Sequence, residues 1–410
     1  MRIRLTTQDG MSVGKCRDRR HVESSVKQTF NVMNTKTTQT HTHTATNVST
    51  SPVSVQGTSS SSQPLLERIL LGIDLHAEHL RVVRQLDGAG TQPPQRVYPG
   101  GDLERFIKKQ LAQAKEVFAV YEAGPCGFGL ARQLQEWGVT CYVIRPMKLD
   151  QLGKGVNTDK TDAAELVSRL DRYLAGNRKA FAVVRVPTPE EEQRRCVSRQ
   201  REQLRRERQR LNAMGKSLML AQGHHCKLRD WWHERPWATL VKELPAWLCE
   251  RLQFYRTVLA TVQEQLDALT QAVEQQVPKL RPFGCGPLTL ATAQNEVGNW
   301  SRFTNRRQVG SLSGLCGGVS SSGQSHVDLC ITKHGNARLR YLLIELAWRM
   351  VKFQPQCKTV QKWKHILHNP QAHSRKRKQA IVAVARQLAV DLWRWQTGRV
   401  TPEQLGWKMI

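Results

Sequence analysis

The alternation of apolar strands and helices between residues 68 and 144 is the feature that most limits how this chain can fold. The buried run Ile69–Asp74 predicts a strand that ends in an acid, and a second apolar stretch at Leu80, Val82 and Val83 predicts that the two form a hairpin. The pattern then predicts a helix at 102–115, a strand at 117–121, a helix at 127–137 and a strand at 141–144. These segments predict an α/β domain with a mixed sheet, which we expect to span residues 66–186.

The segment before this domain has a different composition. Sixteen of the 29 residues from 34 to 62 are Ser or Thr, and none is acidic or aromatic. Such a segment has too little apolar surface to offset the entropy of ordering. We therefore expect residues 1–63 to form a disordered tail.

A basic helical region is predicted next, over residues 187–277. Its first helix, 188–222, is rich in arginine, and Arg205 and Arg206 are candidate nucleic-acid contacts. In the second, 251–277, apolar residues recur at steps of three and four: Leu252, Tyr255, Leu259, Val262, Leu266, Leu269 and Val273. The two helices are predicted either to form a coiled-coil arm or to pack as ordinary helices on a globular core. Between them, Trp231, Trp232, Trp237 and Trp247 are expected to anchor packing rather than to stack on bases.

The net charge points to a polyanionic partner. Lysine and arginine number 62 against 34 acidic residues, which gives a formal charge of +28. Nucleic acid is the expected partner, and a ribosomal-type surface is the alternative. No apolar run approaches the roughly 18 residues of a membrane helix. The ten cysteines include no C-x-x-C pair, so we expect neither a zinc ribbon nor a disulfide framework, and a soluble protein of a reducing cytoplasm.

Four carboxylates are predicted to converge in the α/β domain. Asp74 ends the first strand, and Glu122 follows the strand 117–121, so both emerge at one edge if these strands are neighbours. Asp159 and Asp162 lie three apart at a helix start and so share a face. An oxygen-only site of this kind suits Mg²⁺ or Mn²⁺ and phosphoryl transfer. Taken singly, Asp159 could instead cap a helix and Glu122 could be a surface acid.

Two further motifs fall in a third, mostly helical region, residues 278–410. Gly284 and Gly286 form a turn that opens a helix and could hold a phosphate, similar to the turn of helix-hairpin-helix DNA binders. The stretch 320–325 is rich in serine and interrupts the helices, and the chain returns to a helix over 331–340. A serine beside a glycine can expose its hydroxyl, and Lys333, Arg338 and Arg340 could neutralise phosphate charge nearby. A polar loop without chemistry is the alternative.

Together these motifs resemble the bridge-RNA-guided insertion-sequence transposases, the insertion sequence one-hundred-and-ten family. The resemblance lies in Tyr121–Gly127, Asp159–Leu166, Gly284–Gly298, Ser321–Gly323 and Ile331–Arg349, and it spans about residues 68–405. It implies a RuvC-like, ribonuclease-H-like domain with a metal centre at Asp74, Glu122, Asp159 and Asp162. It also implies a coiled-coil linker and a helical domain with a nucleophilic serine at Ser322, or at Ser321 if the register differs by one. Where the family has an aromatic or histidine residue shortly before the serine, this chain has Val319 and Ser320.

The resemblance implies a DNA transposase that cuts and rejoins strands to move an insertion sequence, guided by a structured RNA. It also implies a dimer or tetramer in which the acidic site of one subunit pairs with the serine of another, acting at the nucleoid. Two alternatives remain: a metal-dependent junction nuclease that uses water instead of Ser322, and an inactive nucleic-acid-binding relic.

Overall fold

The structure, a computed structural model, describes residues 65–146, 159–323 and 325–410. The tail predicted over residues 1–63 lies outside the described residues. Among the helices in the described ranges, none combines the length and the apolar character needed to span a bilayer.

A five-stranded mixed sheet forms the first part of the described chain. Its strands are β1 Leu66–Leu75, β2 Leu80–Leu86, β3 Gln95–Val97, β4 Ala114–Glu122 and β5 Thr140–Ile144. The order across the sheet is β3-β2-β1-β4-β5. Strands β1 and β2 form the predicted antiparallel hairpin, whereas β1, β4 and β5 run parallel. The predicted mixed α/β architecture is therefore confirmed.

Helices cover both faces of this sheet. They are α1 Gly101–Leu111, α2 Gly129–Glu136 and α3 Asp159–Leu174. Successive strand residues point to opposite faces: Ile69 and Leu71 belong to one buried cluster with residues of α1 and α2, and Leu70 belongs to the other with residues of α3. Apolar residues on both faces explain why β1 is a nearly continuous apolar run.

Two long helices follow, α4 Pro189–Ala221 and α6 Ala246–Glu274, with α5 Glu234–Glu243 between them. Helix α4 starts at Pro189 because Thr188 caps it in a capping box with Glu191. Helix α6 packs against α4, and every seventh residue of its predicted seam is buried: Leu252, Leu259, Leu266 and Val273. The packing function predicted for the tryptophans is confirmed for Trp231, Trp232 and Trp237, whereas Trp247 is half exposed.

The last region is mostly helical, as predicted. Its elements are α7 Pro287–Val297, a 3₁₀ turn at Trp300–Arg302, α8 Arg306–Ser313, β6 Gly317–Ser322, β7 Ser325–Ile331, α9 Ala337–Phe353, α10 Lys358–Gln361, α11 Lys364–Leu367, α12 Ser374–Gln396 and α13 Pro402–Leu405. Its core includes residues from α7, α9 and α12. Strands β6 and β7 form a two-stranded antiparallel hairpin.

Several predicted boundaries were wrong. Helix α1 ends at Leu111 rather than 115, because β4 already begins at Ala114. The helix expected from residue 331 starts at Ala337, since Ile331 pairs with Gly317 in the hairpin and Asn336 caps the helix. The serine-rich stretch, interpreted as a loop, contains the end of β6 at Ser322 and the start of β7 at Ser325. Strand β3 and helix α5 were not predicted; β3 is only three residues long and gives no periodic signal.

Candidate active site

The first candidate residue, Asp74, lies near the end of β1, and the pairing of β1 with β4 places Glu122 beside it. In the parallel register of β1 and β4, Ile73 is opposite Tyr121, so the next residues along the two strands are Asp74 and Glu122. Glu122 is the last residue of β4, where Ala123 N–H donates to the Ile144 carbonyl at 2.8 Å. The predicted emergence of these two carboxylates at one sheet edge is confirmed.

A glycine lets helix α3 approach this edge. A Cβ placed on Gly72 would lie 2.2 Å from the Ala163 carbonyl oxygen and 2.7 Å from Val167 Cγ2. The helix therefore crosses β1 in direct backbone contact at the residue two before Asp74. Because residues i and i+2 of a strand share a face, Asp74 lies on the same side of the sheet as α3. The residue that precedes Ala163 in the helix is Asp162.

Three of the predicted carboxylates line one cavity. Asp74, Glu122 and Asp162 share a cavity of about 390 Å³ with Leu75 and Pro146 among its other walls. Asp159 is the first residue of α3, but its side chain is outside what the structure describes. Among the described side chains, no three His, Cys, Asp or Glu groups converge closely enough to hold a metal ion as they stand. The donors that line the cavity are carboxylate oxygens, which in kind fit Mg²⁺ or Mn²⁺.

A histidine that the sequence interpretation missed contacts this site. His76 Nε2 lies 3.0 Å from Asp74 Oδ2, and its ring stacks on that of His79 with centroids 4.9 Å apart. Both histidines belong to the turn between β1 and β2, where His76 N–H donates to the His79 carbonyl. The signal was present in the sequence, since His76 follows Asp74 by two residues. This contact with Oδ2 orients the Asp74 carboxylate.

Ser322 lies at the tip of the β6–β7 hairpin. It is exposed, pairs with Ser325, and precedes Gly323, whose φ of 55° turns the chain. Ser320 and Ser321 are exposed on the same strand, so exposure does not discriminate among the three. Ser322 is not among the described residues that line the carboxylate cavity. Among the described residues, the serine and the carboxylates therefore do not line one cavity.

The cations near the hairpin have different environments. The Arg340 guanidinium donates to the Ser313 carbonyl at 3.0 Å and the Lys333 carbonyl at 3.1 Å, which supports the backbone below the hairpin. Lys333 and Arg338 are exposed, and Arg338 also lines a cleft with residues of α4. Lys333 and Arg338 thus remain available to a phosphate, whereas Arg340 is largely engaged.

The predicted phosphate turn opens a helix as expected. Gly286 is the N-cap of α7, and Gly284 has a φ of 84° that an L-residue with a side chain rarely adopts. Arg281 and Arg349 flank this turn in a cavity of about 250 Å³. In contrast, Arg205 and Arg206 both bind the carboxylate of Glu202, at 2.8 and 3.0 Å, so part of their charge is already neutralised.

Helix α4 contacts both the sheet region and the C-terminal helices. Near its start, Glu192 binds the guanidinium of Arg132 on α2. Further along, Arg199 binds the fully buried carboxylate of Glu296 through two hydrogen bonds of 3.0 and 2.9 Å. Asn336, which caps α9, donates to the same carboxylate at 2.7 Å. Burial raises the pKa of Glu296, but the hydrogen bonds from Arg199 and Asn336 outweigh it and hold the pKa below 4.5.

Comparison with known proteins defines the class of this chain. Residues 281–362, from the phosphate turn through the hairpin to α10, match the model of the Transposase IS116/IS110/IS902 family. The predicted transposase y4rJ of Sinorhizobium fredii is 31% identical over 328 residues, which are 74% of this chain and 82% of that protein.

Two further relatives are transposases by name. The predicted transposase y4qE of Sinorhizobium fredii is 32% identical over 60% of this chain and 62% of its own length. The transposase for insertion sequence element IS1533 of Leptospira borgpetersenii is 26% identical over 69% of this chain and 85% of its own length. The chain belongs to the IS116/IS110/IS902 family of transposases. The expected family is therefore confirmed.

Proposed function

We propose that this transposase cuts and rejoins DNA with the carboxylates Asp74, Glu122, Asp159 and Asp162 and the hydroxyl of Ser322. The observation that carries the proposal is the single cavity lined by Asp74, Glu122 and Asp162. Strand order β3-β2-β1-β4-β5, with β2 antiparallel to β1, supports a RuvC-like or ribonuclease-H-like domain in which acids at the ends of β1 and β4 form the site.

The carboxylates would hold Mg²⁺ or Mn²⁺, which when bound would activate an attacking oxygen and stabilise the departing one. Within the protein, Asp74 is oriented by His76, and Asp162 is brought to the sheet edge by the contact of α3 with Gly72. His76 and Gly72 are positioning residues, because each acts through a carboxylate rather than on the DNA.

In the proposed reaction the Ser322 Oγ attacks a DNA phosphorus atom. A bond forms between Oγ and phosphorus, the bond from phosphorus to one sugar oxygen breaks, and the proton of the serine hydroxyl ends on that departing oxygen. A hydroxyl of another strand then attacks the same phosphorus atom, the bond between Oγ and phosphorus breaks, and the proton of that hydroxyl returns to the Ser322 oxygen. Exposure of Ser322 at a hairpin tip suits attack on a large substrate. A serine hydroxyl is weakly acidic, so it needs activation by a metal or a base.

Because Ser322 does not line the carboxylate cavity, the reaction requires the two sites to meet. We infer that the carboxylates of one subunit act with the serine of another in a dimer or tetramer. A structured guide RNA would select the DNA sequence, while the cationic surface holds backbones without reading bases. The +28 formal charge is consistent with that division.

Complementation between two inactive variants tests this proposal. Asp74→Asn and Ser322→Ala proteins should each fail to recombine DNA supplied with the guide RNA and Mg²⁺, and a mixture of the two should regain activity. Both should bind nucleic acid as the wild type does, since neither change removes a cation. Recombination by the Asp74→Asn protein alone would exclude the carboxylate site. Cleavage by Ser322→Ala alone would favour a nuclease that uses water.

A further inference from the structure

The C-terminal region contains a second large concave surface, which we call the basic groove. It has a volume of about 1110 Å³, and its lining includes six exposed cations that lie on or next to helices: Arg306, Arg307, Lys358, Lys362, Arg386 and Arg394. These residues come from the start of α8, from α10 and its end, and from α12. None of them was a candidate from the sequence, because they are far apart in the chain and meet only in the fold.

Few carboxylates of the described residues oppose the cations of the basic groove. Within the described part of the chain, none of the six forms an ion pair with a carboxylate, unlike Arg199 and Arg205 on α4. The one acid of the lining, Asp391, is buried and accepts hydrogen bonds from Thr359 at 2.6 Å and Gln387 at 2.8 Å. Burial raises the pKa of Asp391 above its usual value, against the lowering effect of these two hydrogen bonds and of the Arg394 charge, so Asp391 is the single acid that opposes the six cations in the lining.

The spacing of the cations suits a polymer rather than a small anion. Arg386 and Arg394 are eight residues apart on α12, which separates them by about 12 Å along the helix axis. This spacing is better matched to successive phosphates than to one, and the groove slightly exceeds the range of about 300–1,000 Å³ typical of small-molecule pockets. A nucleic-acid strand offers a phosphate at every nucleotide and can contact both arginines at once.

The basic groove is continuous with the hairpin that carries Ser322. Gly317 and Ile331 line the groove and pair with each other at the base of the hairpin. Ser322 lies five residues further along β6, about 17 Å away for an extended strand. A strand held in the groove therefore passes the base of the hairpin within a few nucleotides of its tip.

We propose that the basic groove binds the sugar-phosphate backbone of a DNA strand and presents that strand to the β6–β7 hairpin. The inference rests on the proposed function in taking DNA as the polyanion. Arginine guanidinium groups suit this ligand because they bind phosphate oxygens in a bidentate manner. The lining also contains apolar residues such as Val382 and Leu315, which do not bind phosphate, so the phosphates would contact the cations.

Equilibrium binding of the full chain to labelled DNA, duplex and single-stranded, tests the proposal, with RNA of the same sequence as a separate arm. Two variants remove cations from different helices of the lining: Arg386→Gln with Arg394→Gln on α12, and Lys358→Gln with Lys362→Gln at α10. The matched control, Lys364→Gln with Lys378→Gln, removes two exposed lysines of the same region that do not line the groove. Circular dichroism before each titration identifies any variant that fails to fold.

Each groove variant should lose about 10- to 100-fold in DNA affinity near 0.1 M salt. Its slope of log K against log salt should fall by roughly 1.4–1.8, as expected for two lost phosphate contacts. The control pair should show less than half of that change in slope. Unchanged DNA binding in both groove variants, an equal loss in the control, or a loss confined to RNA would overturn the proposal. Normal DNA binding by Ser322→Ala separates this result from any failure of the serine chemistry.

Discussion

Replacing Gly72 with alanine should push helix α3 away from strand β1. The new Cβ would lie 2.2 Å from the Ala163 carbonyl oxygen, which is backbone and has no rotamer with which to avoid it. Restoring an ordinary contact requires a retreat of about 1 Å. We expect a loss of about 1–3 kcal/mol in the free energy of unfolding, the usual cost of overpacking.

The same shift should impair catalysis more than stability. Asp162 adjoins Ala163 on the displaced helix, so it would move away from Asp74 and Glu122, and a displacement of about 1 Å can cost roughly 100-fold in rate. Urea unfolding and DNA cleavage with Mg²⁺ measure the two effects. Gly101→Ala is the control, because a Cβ there meets nothing within 4 Å. Wild-type stability and cleavage in Gly72→Ala would refute the packing argument.

Two other changes test the contacts that helix α4 makes with the C-terminal region and with α6. Glu296→Gln should cost about 2 kcal/mol, less than the ~3–5 of a fully buried pair because the Arg199 side chain is 42% exposed. The pKa of Glu296 in the folded protein is below 4.5, so the stabilisation from its carboxylate is present above pH 4.5 and is lost as pH falls through the folded pKa. The urea midpoint of the variant should therefore fall less steeply in acid than that of the wild type. An unchanged acid profile would count against this. Leu259→Ala on α6 should cost about 2–5 kcal/mol, because that side chain is fully buried, whereas Phe254→Ala on the same helix, 67% exposed, should cost under about 0.5. Equal costs for the two would argue against the α4–α6 seam.

The sequence predicted the elements whose pattern is local. Strands β1, β2, β4 and β5 were identified from apolar runs, and the ends of β1 and β4 gave Asp74 and Glu122 together. The seven-residue spacing of Leu252, Leu259, Leu266 and Val273 likewise predicted the buried side of α6.

Features that depend on contacts distant in the chain were not predicted. The β6–β7 hairpin has six residues of glycine, serine and valine in its first strand and lacks the apolar alternation of a half-buried strand. The approach of α3 to Gly72 and the basic groove join residues far apart in sequence. His76 was missed for another reason, since its link to Asp74 depends on the turn that returns β1 to β2.

The central claim is tested most directly by identifying the atom that becomes attached to DNA. The protein, guide RNA and DNA labelled on both sides of the cleavage site are incubated with Mg²⁺ and denatured, and the protein is digested for peptide mass mapping. The account predicts a nucleotide adduct on Ser322 that is absent from Ser322→Ala and from Asp74→Asn and persists in Ser320→Ala and Ser321→Ala. An adduct that persists in Ser322→Ala, or cleavage by the wild type with no adduct at all, would contradict it.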